Sequence, residues 1–241
     1  MTITSRVLRR SLRVVVLAAA AFAALGSSAH PSVNNAAKAD LDRRVSTMQQ
    51  NPRTVSAPTA FEPMPLAVGQ WATFKQVDGE GKPSIVTYKI VGQQDGAFFY
   101  EMGVDSYYGH TAVRMLVFIG DRRDPKSIDV RAVTTKDAEG RVQDLPPSVL
   151  SMMRASYGSM IDQLTISWQN LPQEDAQVIG GHFASCFKTR ATVEFAGQSS
   201  TSDGWFHPAV PVNGMVKSVG VDRPMTMELV DYGTEGATSE F

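Results

Sequence analysis

Cysteine is almost missing from this sequence: Cys186 is the only one in 241 residues. A lone thiol forms no intrachain bridge, so the fold must be held by packing, whereas disulfides ordinarily staple domains whose core is too small. Histidine is scarce too, with only His30, His110, His182 and His207. None stands at a metal-ligand spacing, such as two apart in a strand or four apart in a helix. The sequence has no G-x-S-x-G elbow, no P-loop and no G-x-G-x-x-G. The common signatures of hydrolases and nucleotide enzymes are therefore missing. Beyond residue 25 no apolar run approaches the roughly 20 residues that cross a bilayer.

What the chain does have at its start is a targeting pattern. Residues 1–13, MTITSRVLRRSLR, carry four arginines and no acid, and Val14 to Leu25 is an apolar run of 12 residues. GSSAHP comes next, with small residues at Ser27 and Ala29. This is the layout of a secretory signal peptide, expected over residues 1–29 with cleavage after Ala29. Its removal takes away four arginines, and 19 basic residues then face 24 acidic ones, a net charge of −5. That balance argues against nucleic acid as a partner, because phosphate binding needs a basic footprint. It argues equally against electrostatic docking on anionic lipid. The expected location is outside the cytoplasm, periplasmic first and extracellular second, with no integral membrane span after cleavage.

Residues 30–68 differ in texture from the remainder of the chain. A helix is expected over Ser32 to Gln50, capped by Ser32, with Ala37, Leu41, Val45 and Met48 at helical spacing. TVSAPTAFEPMPLAVGQ then reads as a proline-rich linker or extended arm. The spacing alone leaves open whether this segment packs on the domain or tethers it. From Trp71 the period becomes two. WATFKQVD, the turn GEGK and PSIVTYKIVGQQ form a hairpin pattern. The meander continues through AFFYEMGVDSYYG, TAVRMLVFIGD and SIDVRAVTTKD. Phe98, Tyr100, Met102 and Val104 fall on one face, as do Val113, Met115, Val117 and Ile119, which suits a sheet with one covered face.

DLPPSVLSMMRASYGSMIDQL interrupts the strands. Val149, Leu150, Met153, Tyr157, Met160, Ile161 and Leu164 make an apolar stripe at 3.6-residue spacing, and such a stripe must lie on a sheet face. LTISWQNL, DAQVIGGHFASCFKTRATVEF, TSDGWFHP, NGMVKSVGV and MTMELVDYG read as further strands. The expected class is α+β: a large, curved antiparallel β-sheet of about nine strands over residues 69–241, a half-barrel, covered by one or two helices.

The chemistry in these stretches is sparse. His182 lies four residues before Cys186, ~13 Å along a strand and too far for a hydrogen bond. Gly180-Gly181 makes a corner between two strands. Beyond it Phe183, Phe187, Val193 and Phe195 share a face, and Cys186 falls on the other with Lys188, Arg190 and Glu194. Cys186 is thus expected as an inert, semi-buried thiol on a polar-leaning face, its remaining reactivity being pairing with another molecule. The charged turns at 121–126 and 222–224 read as solvated loops. Methionine is the unusual feature. Met102, Met115, Met152, Met153, Met160, Met215, Met225 and Met227 lie in expected strands or the long helix. They either fill the core or line an apolar cavity that adapts to its occupant.

DAQVIGGHFASCFKTRATVEF resembles a strand pair of periplasmic proteins of uncharacterised function. DGWFHPAVPVNGMVKSV with MELVDYGTEGA resembles the Trp strand, V-P-x-x-G turn and terminal Tyr-Gly strand that come after it in them. Those proteins are similar in strand order to the half-barrel lipoprotein carriers and receptors of the Lol type. The resemblance spans residues 69–241. It implies a sheet wrapped around an apolar cavity that takes acyl chains, and it carries over no ligand-binding residue. The expected lining is Phe98, Tyr100, Met102, Met115, Met153, Tyr157, Met160, Met225 and Met227, with no cofactor, no metal and no catalytic residue. The leading expectation is a non-enzymatic envelope protein that binds an acyl chain, another apolar ligand or a lipidated partner. The alternative is an envelope protein-interaction module with a solid core, engaging its partner through an edge strand or the N-terminal arm.

Overall fold

The computed structural model describes residues 32–120, 127–146, 150, 168–195 and 198–241. The expected signal peptide, the charged turn at 121–126 and most of the expected long helix lie outside the described residues. Leu150 is the described position within that helix. It is helical and packs on the core, and its N–H donates to Pro146 O at 3.2 Å.

Among the described residues one complete helix and twelve strands are seen, against the nine strands expected. The helix α1 is Asn35–Ser46, and the first strands are β1 Thr54–Val55, β2 Trp71–Val77, β3 Pro83–Gln94, β4 Ala97–Ser106, β5 Gly109–Ile119, β6 Ile128–Lys136 and β7 Val142–Asp144. The rest are β8 Gln173–Val178, β9 Gly181–Phe195, β10 Gln198–Phe206, β11 Met215–Gly220 and β12 Thr226–Gly233. β1 and β7 are only 2 and 3 residues long, too short to show an alternation. The strand expected from LTISWQNL is not seen from Trp168 onward, where the chain turns at Gln169–Asn170.

The strands form a single sheet in the order β1-β9-β10-β11-β12-β2-β3-β4-β5-β6-β7, with β8 also on β9. It is two meanders, β2 to β7 and β8 to β12, joined where β12 pairs antiparallel with β2 from Thr226↔Val77 to Gly233↔Trp71. The sheet is open, since β1 and β7 stand at opposite ends of that order. The β3–β4 turn explains the tightness of its hairpin. Asp95 and Gly96 both have positive φ, 49° and 75°, the conformation of a type I′ turn, which suits the twist of paired strands.

The N-terminal segment is part of the fold rather than a tether. Asn34, not Ser32, caps α1, its side chain accepting from the N–H groups of Ala36 and Ala37, and the helix ends at Ser46 rather than Gln50. Leu41 is buried, Asn34 N–H donates to Tyr107 O at 2.9 Å, and Tyr107 Oη donates to Asp42 at 2.8 Å. Downstream, β1 runs parallel to β9 at His182 and Phe183. β10 covers the same side of β9 only from Phe187 to Phe195, so β1 fills the side it leaves free. His207 locks the arm in place. Its Nε2–H donates to Ser56 O at 3.0 Å and its Nδ1 accepts from Ala209 N–H at 3.1 Å. Burial lowers its pKa, in keeping with a neutral ring.

Candidate functional site

The strand registers put one set of side chains on a common face. Leu229, Phe74, Val86 and Val104 stand opposite one another in turn, as do Ala72, Tyr88, Met102 and Val113, and then Ile90, Tyr100, Met115 and Val133. Most of this face is withdrawn from water. At its centre are two phenols, with the Tyr88 and Tyr100 ring centroids 6.0 Å apart and Phe74 5.7 Å from Tyr88. Desolvation pushes Tyr88 up to about 12 and Tyr100 well above its ordinary value.

The expected lining separates into four groups. Phe98, Tyr100, Met102 and Met115 come together on β4 and β5, all facing this side, with Phe98 half-buried and the other three buried. Met227 is buried on the same face but three strands from β4, opposite Gln76. Met225 stands one residue before β12, where Gly220 N–H donates to Met225 O at 2.8 Å. Met153, Tyr157 and Met160 lie outside the described residues.

At the β9–β2 corner the same face turns polar. One row across the sheet reads Thr189, Gly204, Ser218, Met227, Gln76, and Ser202 stands one step along, between Ala191 and Gly220. Ser202, Ser218 and Gln76 are 1%, 5% and 8% exposed. The hydroxyls of Ser202 and Ser218 are buried with no hydrogen-bond partner among the described residues, and none is found there for the Gln76 amide. Leaving such a group unpaired costs about 1–3 kcal/mol. The charged residues of these strands alternate to the other face, where Arg190 pairs with Asp203 and Lys75 with Glu228. Sequence reading passed over these serines. Their parity with Phe206 and Met227 was the available signal.

The opposite face is closed by the chain's own ends. The last residues lie across β2 to β6, with Trp71 Nε1–H donating to Glu235 O at 3.1 Å and Lys136 Nζ to Glu240 O at 2.7 Å. Glu101 is 1% exposed, and it accepts from Ser239 Oγ at 2.5 Å and Glu240 N–H at 3.1 Å. His110 is held between two carboxylates, Nδ1 at 2.7 Å from Asp105 and Nε2 at 2.6 Å from Glu240. Those hydrogen bonds raise its pKa to about 9, and the His110 contact helps lower Glu240 to about 2. Lys89 also pairs with Glu240, and Arg44 of α1 reaches Asp105 at 2.9 Å. Gly103 makes room for this clamp, since a Cβ there would sit 3.1 Å from Glu240 Oε1. With both nitrogens engaged, His110 serves as a fastener and has no lone pair free to activate a nucleophile.

Cys186 is not on a polar face. It is fully buried, as is Phe187 beside it. Ser185 takes a positive φ of 55°, its N–H donates to Asp175 Oδ1 at 2.9 Å, and the β8–β9 register slips between Glu174 and Ala176. The bulge turns two consecutive side chains inward. Desolvation lifts the thiol to about 12, which removes both nucleophilic character and access for intermolecular pairing.

These observations define the chain as an open, mainly antiparallel sheet protein with one buried apolar face and the other strapped by α1 and the C-terminal tail. No described helix is long and apolar enough to cross a membrane. No protein-family model matches the chain, and no curated protein does. Two solved structures are similar at 11% identity and a TM-score of 0.32. They are a protein assigned as a lipoprotein from Parabacteroides distasonis, covering 74% of this chain and 100% of its own, and a protein assigned as exported, with a YmcC-like fold, from Bacteroides fragilis, covering 73% and 100%. A likeness at that score carries no weight for function.

Proposed function

We propose that this is an exported, non-enzymatic protein that holds an acyl chain, or the lipid-modified part of a partner, against the apolar face of its sheet in a half-barrel arrangement. One observation carries the reading: Tyr88 and Tyr100, 6.0 Å apart, stand at the centre of a buried apolar face that also bears Met102 and Met115. Ligand sites combine mostly apolar walls with a few placed polar groups. Methionine suits a surface that must adapt to a flexible chain. Residues 1–29, with their arginine-rich start and apolar run, supply the export part of the proposal.

The test is extraction of the protein purified from its native host, then lipid mass spectrometry, together with titration by a fluorescent palmitoyl probe. Copurifying acyl lipid and saturable probe binding are expected. A lipid-free extract together with no probe binding refutes the reading.

A further inference from the structure

We propose that the corner formed by Ser202, Ser218 and Gln76 is a head-group subsite for an uncharged, hydrogen-bonding group on a single-chain amphiphile. This rests on the acyl-chain reading above and adds which end of the ligand goes where and what its chemistry is.

The argument begins with unmet hydrogen bonds. Ser202 and Ser218 are diagonal neighbours on one sheet face, because Ser202 stands opposite Gly220 and Ser218 opposite Gly204. Both hydroxyls are buried and have no partner among the described residues. Gln76 stands two strands from Ser218 in the same row, with Met227 between them. Two hydroxyls and one amide together offer both donors and acceptors to whatever lies over them. Gly204 lets the Phe206 ring lie against the row, since a Cβ there would meet that ring at 2.7 Å. Gly220 lies beneath the loop after β11, where a Cβ would meet Arg223 O at 2.1 Å.

The second step is the sign of the head group. No charged side chain of the described strands shares this face at the corner, and in the loop over Gly220 the Asp222 carboxylate is engaged by Thr201 N–H at 2.8 Å and Ser200 Oγ at 3.4 Å. Arg190, Asp203, Lys217, Glu228 and Lys75 all stand at the opposite parity, and Arg190–Asp203 and Lys75–Glu228 are paired there. A carboxylate or an ammonium brought to the corner would lose its hydration without gaining a counter-charge, which is strongly unfavourable. An ester, amide or polyol head loses little, because Ser and Gln return its hydrogen bonds. The third step is direction. β11 and β4 are four strand spacings apart, ~19 Å. The face between them, through Phe74, Tyr88 and Met102, is apolar, so it forms a lane for a tail running from the corner toward Tyr100.

Three C16 probes separate the outcomes: 1-monopalmitoylglycerol, palmitate and hexadecyltrimethylammonium, each titrated into the full chain at pH 8. The glycerol ester is expected to bind about tenfold more tightly than either ion, the worth of roughly two net hydrogen bonds. In the Ser202→Ala/Ser218→Ala variant that preference is expected to shrink to within about threefold, with palmitate affinity unchanged. The variant's thermal midpoint should equal or exceed the parent's, since it loses only unpartnered hydroxyls, and each single variant should behave alike. An ion that binds as tightly as the ester, a preference that survives both substitutions, or a fall in midpoint overturns the subsite and leaves the acyl-chain reading standing. Failure of all three probes to bind overturns both.

Discussion

Deleting residues 239–241 removes the strap from the face opposite the apolar one, and the cost can be worked from a single group. Glu101 is 1% exposed, and its hydrogen bonds come from Ser239 Oγ and Glu240 N–H. Without them two charge-assisted hydrogen bonds are lost and Glu101 meets water, with Lys89 and Arg114 opposite it on β3 and β5, a net loss of about 3 kcal/mol. For a chain of this size each kcal/mol moves the midpoint by about 2–4 °C, so the truncated protein should melt roughly 10 °C lower. A truncation that costs under about 1 kcal/mol refutes the reasoning. The same strap sets a pH window. His110 is raised from 6.5 to about 9 by Asp105 and Glu240, so its contribution is full below pH 6.5 and is lost as pH rises through 9. Its side chain is 41% exposed, so screening limits this to roughly 1 kcal/mol. Glu240 is lowered from 4.5 to about 2, and the His110 contact is its largest cause. Its contribution is full above pH 4.5 and is lost as pH falls through 2. Chemical denaturation of Glu240→Gln across pH 6 to 10 should show a shallower alkaline loss than the parent, and an equal slope refutes the pairing.

Two further outcomes rest on local geometry. Cys186 should be inert to a thiol reagent such as 5,5′-dithiobis(2-nitrobenzoate) at pH 8 in the native protein and titrate as one thiol in urea, because it is fully buried and its pKa is near 12; rapid native labelling refutes that. Gly214→Ala should destabilise by about 2 kcal/mol or more, because Gly214 has φ 71° and a Cβ there would lie 2.4 Å from the Trp168 ring; a melt unchanged from the parent refutes the contact.

The hairpins from β2 to β5 were legible because their information is local: a period of two, and an Asp-Gly turn with the φ values such turns require. The fate of Cys186 was not, because parity holds only while every residue stays extended, and Ser185 leaves that region. The clamp escaped notice for a different reason. His110 and Glu240 are 130 residues apart, and no periodicity relates a strand to a tail that crosses it. Of the expected lining, the part on β4 and β5 was legible because neighbouring strands share register, whereas Met225 stands at the strand's edge, one residue before β12 begins.

On β4 the run Tyr100, Glu101, Met102, Gly103 is buried at every position, so this strand is covered on both sides. Polar-out alternation fails there because the chain's own tail supplies donors that Glu101 would otherwise take from water. The N-terminal arm is bound in the same way, through Leu41 under α1, β1 on β9 and His207 on Ser56. An arm that captured a partner would first have to leave its own sheet and expose Leu41, Tyr107 and the β9 edge. α1, β1 and the C-terminal tail thus spend hydrogen bonds inside the fold, whereas the buried hydroxyls of Ser202 and Ser218 have no partner among the described residues. Arg53 Nη1 of the arm and Gln70 Oε1 are unpartnered as well, and the ligand is placed at the serines because they share a face with Phe74 and Met227.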